Sequence, residues 1–258
     1  MDFRNKLLSL SNYCEGNYEK MFSMIKSKEI VDDKYSKEIK SNFLTILDTN
    51  YPKRLKNIYK PPILFYYYGN ISLLDSKKIL AVVGSREANS YQESMTAKLV
   101  DEVLSKSENK ITILSGMAKG VDQIAMKQAM KRNANIISVI ASGIDNPYPK
   151  DNSGIYEYCK GNKGLIISER PLTYSAVKED FIFRNRLLAG LSDAVLVTAG
   201  KKHSGTASTV RFGIDFGKEI LSLPCNVTGD DLTNTLILDG ARMILSSDDI
   251  IDSLTNIF

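Results

Sequence analysis

Short polar turns follow several apolar runs of this sequence and carry its candidate binding residues. The turns are Gly84-Ser85-Arg86, Ser115-Gly116-Met117-Ala118-Lys119-Gly120, Ala141-Ser142-Gly143, Ser168-Glu169-Arg170 and Ala199-Gly200. Small residues let a ligand approach the backbone and leave amide N–H groups available at helix N-termini, which favours anions. Basic residues accompany these turns: Arg86, Lys119, Lys150, Arg184, Arg186, Lys201 and Lys202. Together they predict a polar, positive site suited to phosphate groups.

Each of these features also has a structural interpretation. A glycine after a strand is often only a turn residue. Arg184 and Arg186 stand at the head of an apolar helix, and one of them can form an ion pair with Glu169 or Asp180. Arg86, inside a Gly-Ser-Arg turn after a buried strand, is better explained by a ligand than by a surface ion pair.

Two aromatic residues of the same helix, Phe181 and Phe183, could stack on nucleic-acid bases. The spacing of Phe183 from the apolar residues that follow it favours a place in the core. A base-stacking role and a packing role therefore both remain open at this stage.

Enzymatic alternatives lack their motifs. The first strand is not followed by GxGxxG, and no P-loop GxxxxGK[ST] is present. His203, beside Ser204, has no acid placed by a motif and no G-x-S-x-G, so we expect a loop residue. Glu169 and Asp145 are carboxylates near strand ends, but sequence does not fix their separation, and Glu169 is interpreted as structural. We predict no catalytic residue.

The composition narrows the class of protein. Hydrophobic residues make up 43% and charged residues 25%, the balance of a globular protein. Charges interrupt every apolar run before the roughly 20 residues that span a bilayer, and no signal peptide is expected. Three cysteines without CxxC and one histidine predict neither a disulfide framework nor a metal site, and indicate a reducing compartment, the cytoplasm. A net charge of +4 permits nucleic-acid binding.

Strand-like and helix-like patterns alternate from residue 78 onward. The apolar runs are 79–84, 111–116, 136–143, 164–169, 194–200 and 219–224, and their aliphatic character predicts strands buried on both faces of a parallel sheet. A capping-box pattern at 90–93 predicts the start of one intervening helix. The alternation indicates an α/β fold with a doubly wound, mostly parallel sheet. Ligands of such sheets bind beyond the carboxyl ends of the strands, where the polar turns lie.

The amino-terminal part of the chain has a different character. Residues 1–43 are polar and lysine-rich and predict a small helical N-terminal segment, with 44–258 as the main domain. Within 48–70, prolines punctuate a stretch that contains a strand at 63–68. We expect this stretch to be an extension packed on the main domain.

Several segments together resemble the DNA-processing protein A family, also called DprA or Smf. They are TNYPKRLKNIYKPPILFYYYGN, AVVGSR, LSGMAKGVDQIA and ASGIDNPYPKDN, followed in order by ISERP, FIFRNRLLAGLSDAVLVTAG, HSGTAST and NTLILDGA. The resemblance covers roughly residues 44–245. Each motif is weak alone, and their shared order makes the resemblance specific.

The resemblance implies an extended Rossmann-like fold and a cytoplasmic, homodimeric protein without catalysis or cofactor. It implies that the chain binds single-stranded DNA and loads a RecA-type recombinase onto it, as in natural transformation. It places ten residues at or beside the strand: Ser85, Arg86, Lys119, Lys150, Asn152, Arg184, Asn185, Arg186, Ser204 and Gly205. The N-terminal segment is shorter than the family's helical domain, and no winged helix is expected after Phe258. The apolar stretch 220–244 could form a dimer surface or cover its own sheet.

Two alternatives remain for the same fold. GKKHSGTAST resembles the PGGxGTxxE motif of lysine-decarboxylase-like phosphoribohydrolases, but Thr209 stands where that group has its glutamate. A sensor of a small signalling nucleotide is the second alternative. A role in general recombination or a phage-related function also stays open.

Overall fold

In the computed structural model, residues 3–29, 31–32, 35, 41–227 and 229–255 are described. They form a nine-stranded sheet in the order β1-β2-β6-β5-β4-β3-β7-β8-β9. The strands are β1 (Asn42–Thr45), β2 (Leu64–Gly69), β3 (Lys78–Val83), β4 (Ile111–Ser115), β5 (Ile136–Val139), β6 (Gly164–Ser168), β7 (Ala194–Val197), β8 (Glu219–Ser222) and β9 (Arg242–Met243). The α-helices are α1 (Phe3–Tyr13), α2 (Tyr18–Ser27), α3 (Lys53–Lys56), α4 (Ser90–Lys106), α5 (Val121–Lys131), α6 (Ser153–Cys159), α7 (Lys178–Leu191), α8 (Gly205–Asp215), α9 (Leu232–Leu238) and α10 (Ser247–Thr255).

The central sheet is doubly wound, as the sequence predicts. Alternate residues of β3 point to opposite faces. Leu80 and Val82 belong to one hydrophobic cluster, which α4 and α5 cover. Ile79, Ala81 and Val83 belong to the other, which α7 covers. Burial on both faces explains why the strands read as continuous aliphatic runs.

Strands β3 to β9 run parallel to one another, and the six predicted strands are present. The strand predicted over 136–143 is shorter in the structure: it ends at Val139, and the remaining residues form the turn that follows. These turns place the small and polar residues at the carboxyl edge of the sheet.

The stretch 48–70 corrects one prediction. Its strand β2 is part of the main sheet, antiparallel to β6, with Tyr66 opposite Ser168 and Gly69 opposite Leu165. β1 adds a second antiparallel strand outside it. The stretch therefore completes the sheet and is not an extension packed against it, because pairing with β6 satisfies backbone groups that packing alone would leave open.

Helix α4 begins with a capping box one residue before the predicted one. Asn89 accepts a hydrogen bond from the Gln92 amide at 2.9 Å, and the Gln92 side chain accepts one from the Asn89 amide at 3.0 Å. The sequence pattern predicts the pair Ser90 and Glu93 instead. Asparagine caps as well as serine does, and glutamine can return the hydrogen bond, so the neighbouring pair takes the role.

The N-terminal helices share the core of the sheet. Leu7, Leu8 and Met21 join the hydrophobic cluster on the α4–α5 face. The buried Tyr66 hydroxyl of β2 donates to Ser11 Oγ at 3.1 Å. Residues 1–2, 30, 33–34 and 36–40 of the predicted 1–43 segment lie outside the described residues. The boundary of this segment at residue 43 stays a prediction. None of the described helices is long and apolar enough to cross a bilayer.

Candidate functional site

A crevice of about 870 Å³ opens at the carboxyl ends of the strands. Its walls come from the turns after β3 and β5, the loop before α6, the first half of α7 and the start of α8. Among the described residues that line it, the basic ones are Arg86, Lys150, Lys178, Arg184 and Lys201. The acidic ones are Glu87 and Asp122. The excess of cations confirms the predicted positive character of this edge.

One wall of the crevice combines a cation with aromatic rings. The Arg86 guanidinium lies 5.3 Å from the centroid of the Phe181 ring. The Tyr148 ring packs edge-on against Phe181, with centroids 6.1 Å apart. Tyr148 is exposed and Phe181 half-buried, so both rings remain accessible to a ligand. Of the two aromatic residues that the sequence left open, Phe181 therefore faces the crevice.

The floor of the crevice holds a buried arginine. Arg184 is 7% exposed, and its Nη1 donates to the carbonyl oxygens of Val139 and Gly116, the latter at 2.9 Å. Its Nε donates to Asn185 Oδ1 at 3.2 Å. Nη2 takes part in none of these hydrogen bonds. A cation held rigidly with a donor unused is suited to an anion that enters from the crevice.

Asp122 lies beside Arg184 and balances part of its charge. It accepts from the amides of Gly116 at 3.1 Å and Ala118 at 3.3 Å. Burial lowers the pKa of Arg184 to about 10, although the Asp122 charge opposes this and Arg86 adds to it. Burial likewise raises the pKa of Asp122, against the effect of Arg184 and the two amides. Both shifts follow from the burial of these two side chains on the crevice floor.

The N-terminus of α8 closes another side. Ser204 caps this helix by accepting from the Ala207 amide at 3.4 Å, and Gly205 begins it. Asn185 Nδ2 donates to Gly205 O at 3.0 Å and to Ser208 Oγ at 2.8 Å, which joins α7 to α8. The first amides of a helix and its dipole favour an anion at this end.

Seven of the ten predicted site residues line this crevice: Ser85, Arg86, Lys150, Arg184, Asn185, Ser204 and Gly205. Lys150 and the neighbouring Lys201 are exposed and have no ion-pair partner in the described part of the chain. Their positive charges are therefore available to a ligand.

Lys119 and Asn152 lie outside the crevice wall. Lys119 Nζ is 2.7 Å from Asp151 Oδ2, and both side chains are exposed. Asn152 is buried and donates to Met117 O at 2.8 Å, while its oxygen accepts from Gln123. These hydrogen bonds brace the turn after β4, and the placement of Asn152 at or beside the DNA stays a prediction.

Arg186 also lies outside the crevice wall, and its placement at or beside the DNA stays a prediction. Its side chain is 0% exposed, and its Nη1 and Nη2 donate to the two Glu169 oxygens at 2.7 Å each. It also donates to Lys60 O, and it lies 3.7 Å from the centroid of Phe183. Arg186 therefore forms the ion pair that the sequence predicted for one of the two arginines, and it is part of the core.

The two carboxylates considered for acid–base chemistry are engaged elsewhere. Glu169 is held by Arg186, and Asp145 accepts a hydrogen bond from the Tyr68 hydroxyl at 2.7 Å. Neither lines the crevice. No group of three or more histidine, cysteine or acidic residues suited to a metal ion occurs within the described ranges. His203 lies in the exposed turn before α8, as predicted.

Sequence reasoning missed three participants. Asp122, Tyr148 and Lys178 line the crevice, but none is in the predicted set. Tyr148 stands two residues before Lys150, and that proximity was the available signal. Asp122 follows the Gly120 turn, which gives its side chain access to the amides at the end of β4.

These features define a Rossmann-like α/β protein with a positively charged crevice at the carboxyl ends of its parallel strands. The chain belongs to the family described as DNA recombination-mediator protein A, whose model matches residues 42–255. It is 36% identical over 226 residues to the DNA processing protein DprA of Streptococcus pneumoniae, covering 86% of this chain and 78% of that protein.

Two solved structures extend the comparison. The X-ray structure of DprA from Streptococcus pneumoniae superposes with a TM-score of 0.82 and 30% identity, over 97% of this chain and 93% of that one. A structure that concerns the single-stranded DNA binding mode of DNA processing protein A from Helicobacter pylori gives a TM-score of 0.74 and 30% identity. It covers 86% of this chain and 98% of that one.

Proposed function

We propose that this chain binds single-stranded DNA in the crevice and acts in DNA processing during recombination. The observation that carries the proposal is the pairing of a stacking wall, Arg86 over Phe181, with the cation Arg184 on the floor. Binding of single strands without base pairing depends on phosphate neutralisation and on stacking of bases. The Helicobacter pylori relative, whose structure concerns single-stranded DNA binding, supports the same assignment.

The size of the crevice favours a single strand over a duplex. Its volume of about 870 Å³ is in the upper range of small-molecule sites, which run from about 300 to 1,000 Å³. It therefore admits a few nucleotides. The bases of a duplex face each other, so they cannot stack on Phe181 and Tyr148 without leaving the helix.

Competition binding tests the proposal. Labelled single-stranded DNA is bound at fixed salt, and unlabelled single strands, duplex or mononucleotides of equal nucleotide concentration compete. We expect single strands to compete far better than either alternative. Equal competition by duplex would contradict the crevice as the binding site.

Recombinase loading is the second part of the proposal. We propose that the bound strand is passed to a RecA-type recombinase, as in natural transformation, and that the protein carries no catalytic activity. The family description as a recombination mediator supports this. Three cysteines without a disulfide, Cys14, Cys159 and Cys225, support a cytoplasmic location. Stimulation of strand uptake by a purified recombinase on protein-coated DNA is the direct measurement.

A homodimer completes the proposal. Leu236 and Ile244 cover their own sheet, whereas Leu238 is 87% exposed and Met243 and Leu245 are also exposed. The buried residues of 220–244 therefore pack on their own sheet, and the exposed ones are available to a second copy of the chain. An exposed apolar set near an edge strand suits a self-complementary contact. Light scattering at micromolar concentration should give twice 28.8 kDa, and a 28.8 kDa species alone would contradict the dimer.

A nucleotide sensor remains the second candidate, because the crevice is large enough for one nucleotide. Salt separates the two functions. A polymer held through several phosphates loses affinity steeply with salt, about 0.7 in log–log slope per contact, whereas a mononucleotide responds weakly. The phosphoribohydrolase alternative lacks a carboxylate at the crevice position of Thr209.

A further inference from the structure

A second aromatic surface lies beside the crevice. The rings of Tyr18 and Phe22, one turn apart on α2, are 5.9 Å apart with an interplanar angle of 8°. Lys60 Nζ lies 5.9 Å from the Tyr18 centroid and 4.8 Å from that of Tyr59. We call Tyr18, Phe22, Tyr59 and Lys60 the aromatic patch. Phe22 is 50% and Tyr59 55% exposed, so flat apolar faces are presented to solvent.

One helical turn joins this patch to the crevice. Phe181 lines the crevice, and Phe183 contacts Tyr18 with ring centroids 6.3 Å apart. Residues two apart on a helix point to nearly opposite sides, because each residue advances by about 100°. Ile182, between them, is exposed and also lines the crevice. The patch and the crevice therefore flank the first turn of α7, whose width with side chains is about 10–12 Å.

The charges of the aromatic patch suit it to stacking on bases and not to binding phosphate groups. Lys60 is paired with Glu19, and this pairing raises the pKa of Lys60. The pair neutralises most of the local charge. Lys26 lies one turn after Phe22 on the same face of α2, and it has no ion-pair partner among the described residues. It is the cation placed to meet a phosphate.

We propose that the aromatic patch binds the bases of the same single strand as it leaves the crevice. The inference rests on the proposed function, since it assigns the patch as an extension of that site. Three observations favour single-stranded DNA as the ligand of the patch. Ile182 connects the patch to the crevice, the parallel rings of Tyr18 and Phe22 offer a surface for stacking bases, and Lys26 is placed to meet a phosphate. OB-fold domains bind about 4–16 nucleotides of a single strand. The crevice of about 870 Å³ admits a few nucleotides, so the patch would lengthen the site.

The test compares short and long strands on the full chain. Fluorescence anisotropy measures binding of labelled oligothymidylates of about four and about twenty nucleotides at one salt concentration. The variant is F22A/Y59A. The matched control is F3A, because Phe3 is exposed on α1 and its ring contacts Lys6 and no member of the patch. Circular dichroism and thermal melting confirm that all variants are folded.

We expect F22A/Y59A to bind the long strand about 5- to 150-fold more weakly, the range for losing the stacking of one base. Its affinity for the short strand, its oligomeric state and its salt slope should equal those of the unaltered chain. K26A should instead reduce the salt slope for the long strand by about 0.7. F3A should change nothing.

Three outcomes overturn the inference. The first is an unchanged long-strand affinity in F22A/Y59A while the crevice variant R86A still loses binding, which leaves the proposed function intact. The second is an equal loss for both strand lengths, which makes the patch a support for the crevice. The third is an altered oligomeric state, which assigns the patch to a protein contact. Failure of the unaltered chain to bind either strand removes the proposed function itself.

Discussion

The guanidinium of Arg184 lies so close to Gly116 that a β-carbon on this glycine would be 2.6 Å from both Nη1 and Nη2. Real β-carbons do not approach other atoms so closely, so any side chain at this position must displace the arginine or the turn. The glycine after β4 is therefore needed for the cation on the crevice floor, and it is more than a turn residue.

Gly116→Ala should lower the free energy of unfolding by about 1–3 kcal/mol, the usual cost of overpacking a buried site. It should also weaken binding of single-stranded DNA, because Arg184 shifts. Urea unfolding and anisotropy measure the two effects. Gly154→Ala is the matched control: it lies in α6, nothing stands within 4 Å of its added β-carbon, and we expect no loss of stability. Equal effects in the two variants would contradict the steric explanation.

Arg86→Ala should weaken single-strand binding roughly tenfold, about 1.4 kcal/mol, with the fold intact. It removes both a phosphate partner and the cation over Phe181. The log–log salt slope should shrink by about 0.7. Lys110→Ala serves as the control, because Lys110 precedes β4 at the opposite edge of the sheet and is paired with Glu108. An unchanged slope in Arg86→Ala would make Arg86 a surface residue without a ligand.

Lys150→Ala and Lys119→Ala should behave differently. Lys150 lines the crevice, and its loss should reduce affinity and the salt slope as one phosphate contact does. Lys119 lies outside the wall in an exposed pair with Asp151, and its loss should leave both nearly unchanged. The measurement is the affinity of both variants for single-stranded DNA over a range of salt concentrations. A larger loss in Lys119→Ala would move the path of the strand toward the turn after β4.

Arg186→Met should destabilise the fold by about 3–5 kcal/mol, because it leaves the Glu169 carboxylate, only 11% exposed, without its partner. The double variant with Glu169→Gln should lose less than the sum of the single losses, since both charges are then removed together. Denaturant midpoints at equal m-value provide the measurement. Additive losses would show that the pair contributes no coupling. Binding of DNA by the folded fraction should stay close to normal in every variant of this pair.

Incubation with labelled single-stranded DNA, ATP or nucleoside monophosphates should give no turnover, with magnesium or manganese present. Nuclease chemistry needs carboxylates that hold a metal near the phosphate, and Glu169 is bound to Arg186 away from the crevice. Mass spectrometry of the products is the measurement. Turnover that disappears in Glu169→Gln would establish an enzyme.

The strands and the crevice were accessible to sequence reasoning because both depend on local patterns. Aliphatic runs such as 79–84 indicate strands that are buried on both faces of the sheet. The turns that follow parallel strands all lie at the carboxyl edge of that sheet. The pattern does not tell which cation of a pair enters the site. Arg184 and Arg186 are two residues apart, so they point to nearly opposite sides of α7, and the rotation of that helix is set by packing alone.

The sequence also does not show which of the loop lysines, Lys119 or Lys150, lines the crevice. Lys119 and Lys150 both follow strands, but Asp151 pairs with Lys119 across 32 positions of the chain. The asparagine cap of α4 was missed by one residue because two adjacent residue pairs satisfy the same motif. Contacts between distant segments decide both cases, and sequence patterns carry little information about them.

The antiparallel pairing of β2 with β6 also protects the protein against aggregation. Without β2, the backbone of Leu165, Ile166 and Ile167 would form an open sheet edge of buried aliphatic residues, a template for strands of other molecules. The early part of the chain thus protects a segment made a hundred residues later. Deletion of residues 1–70 should therefore cause the protein to aggregate through the exposed edge of β6, even though the residues that line the crevice are still present.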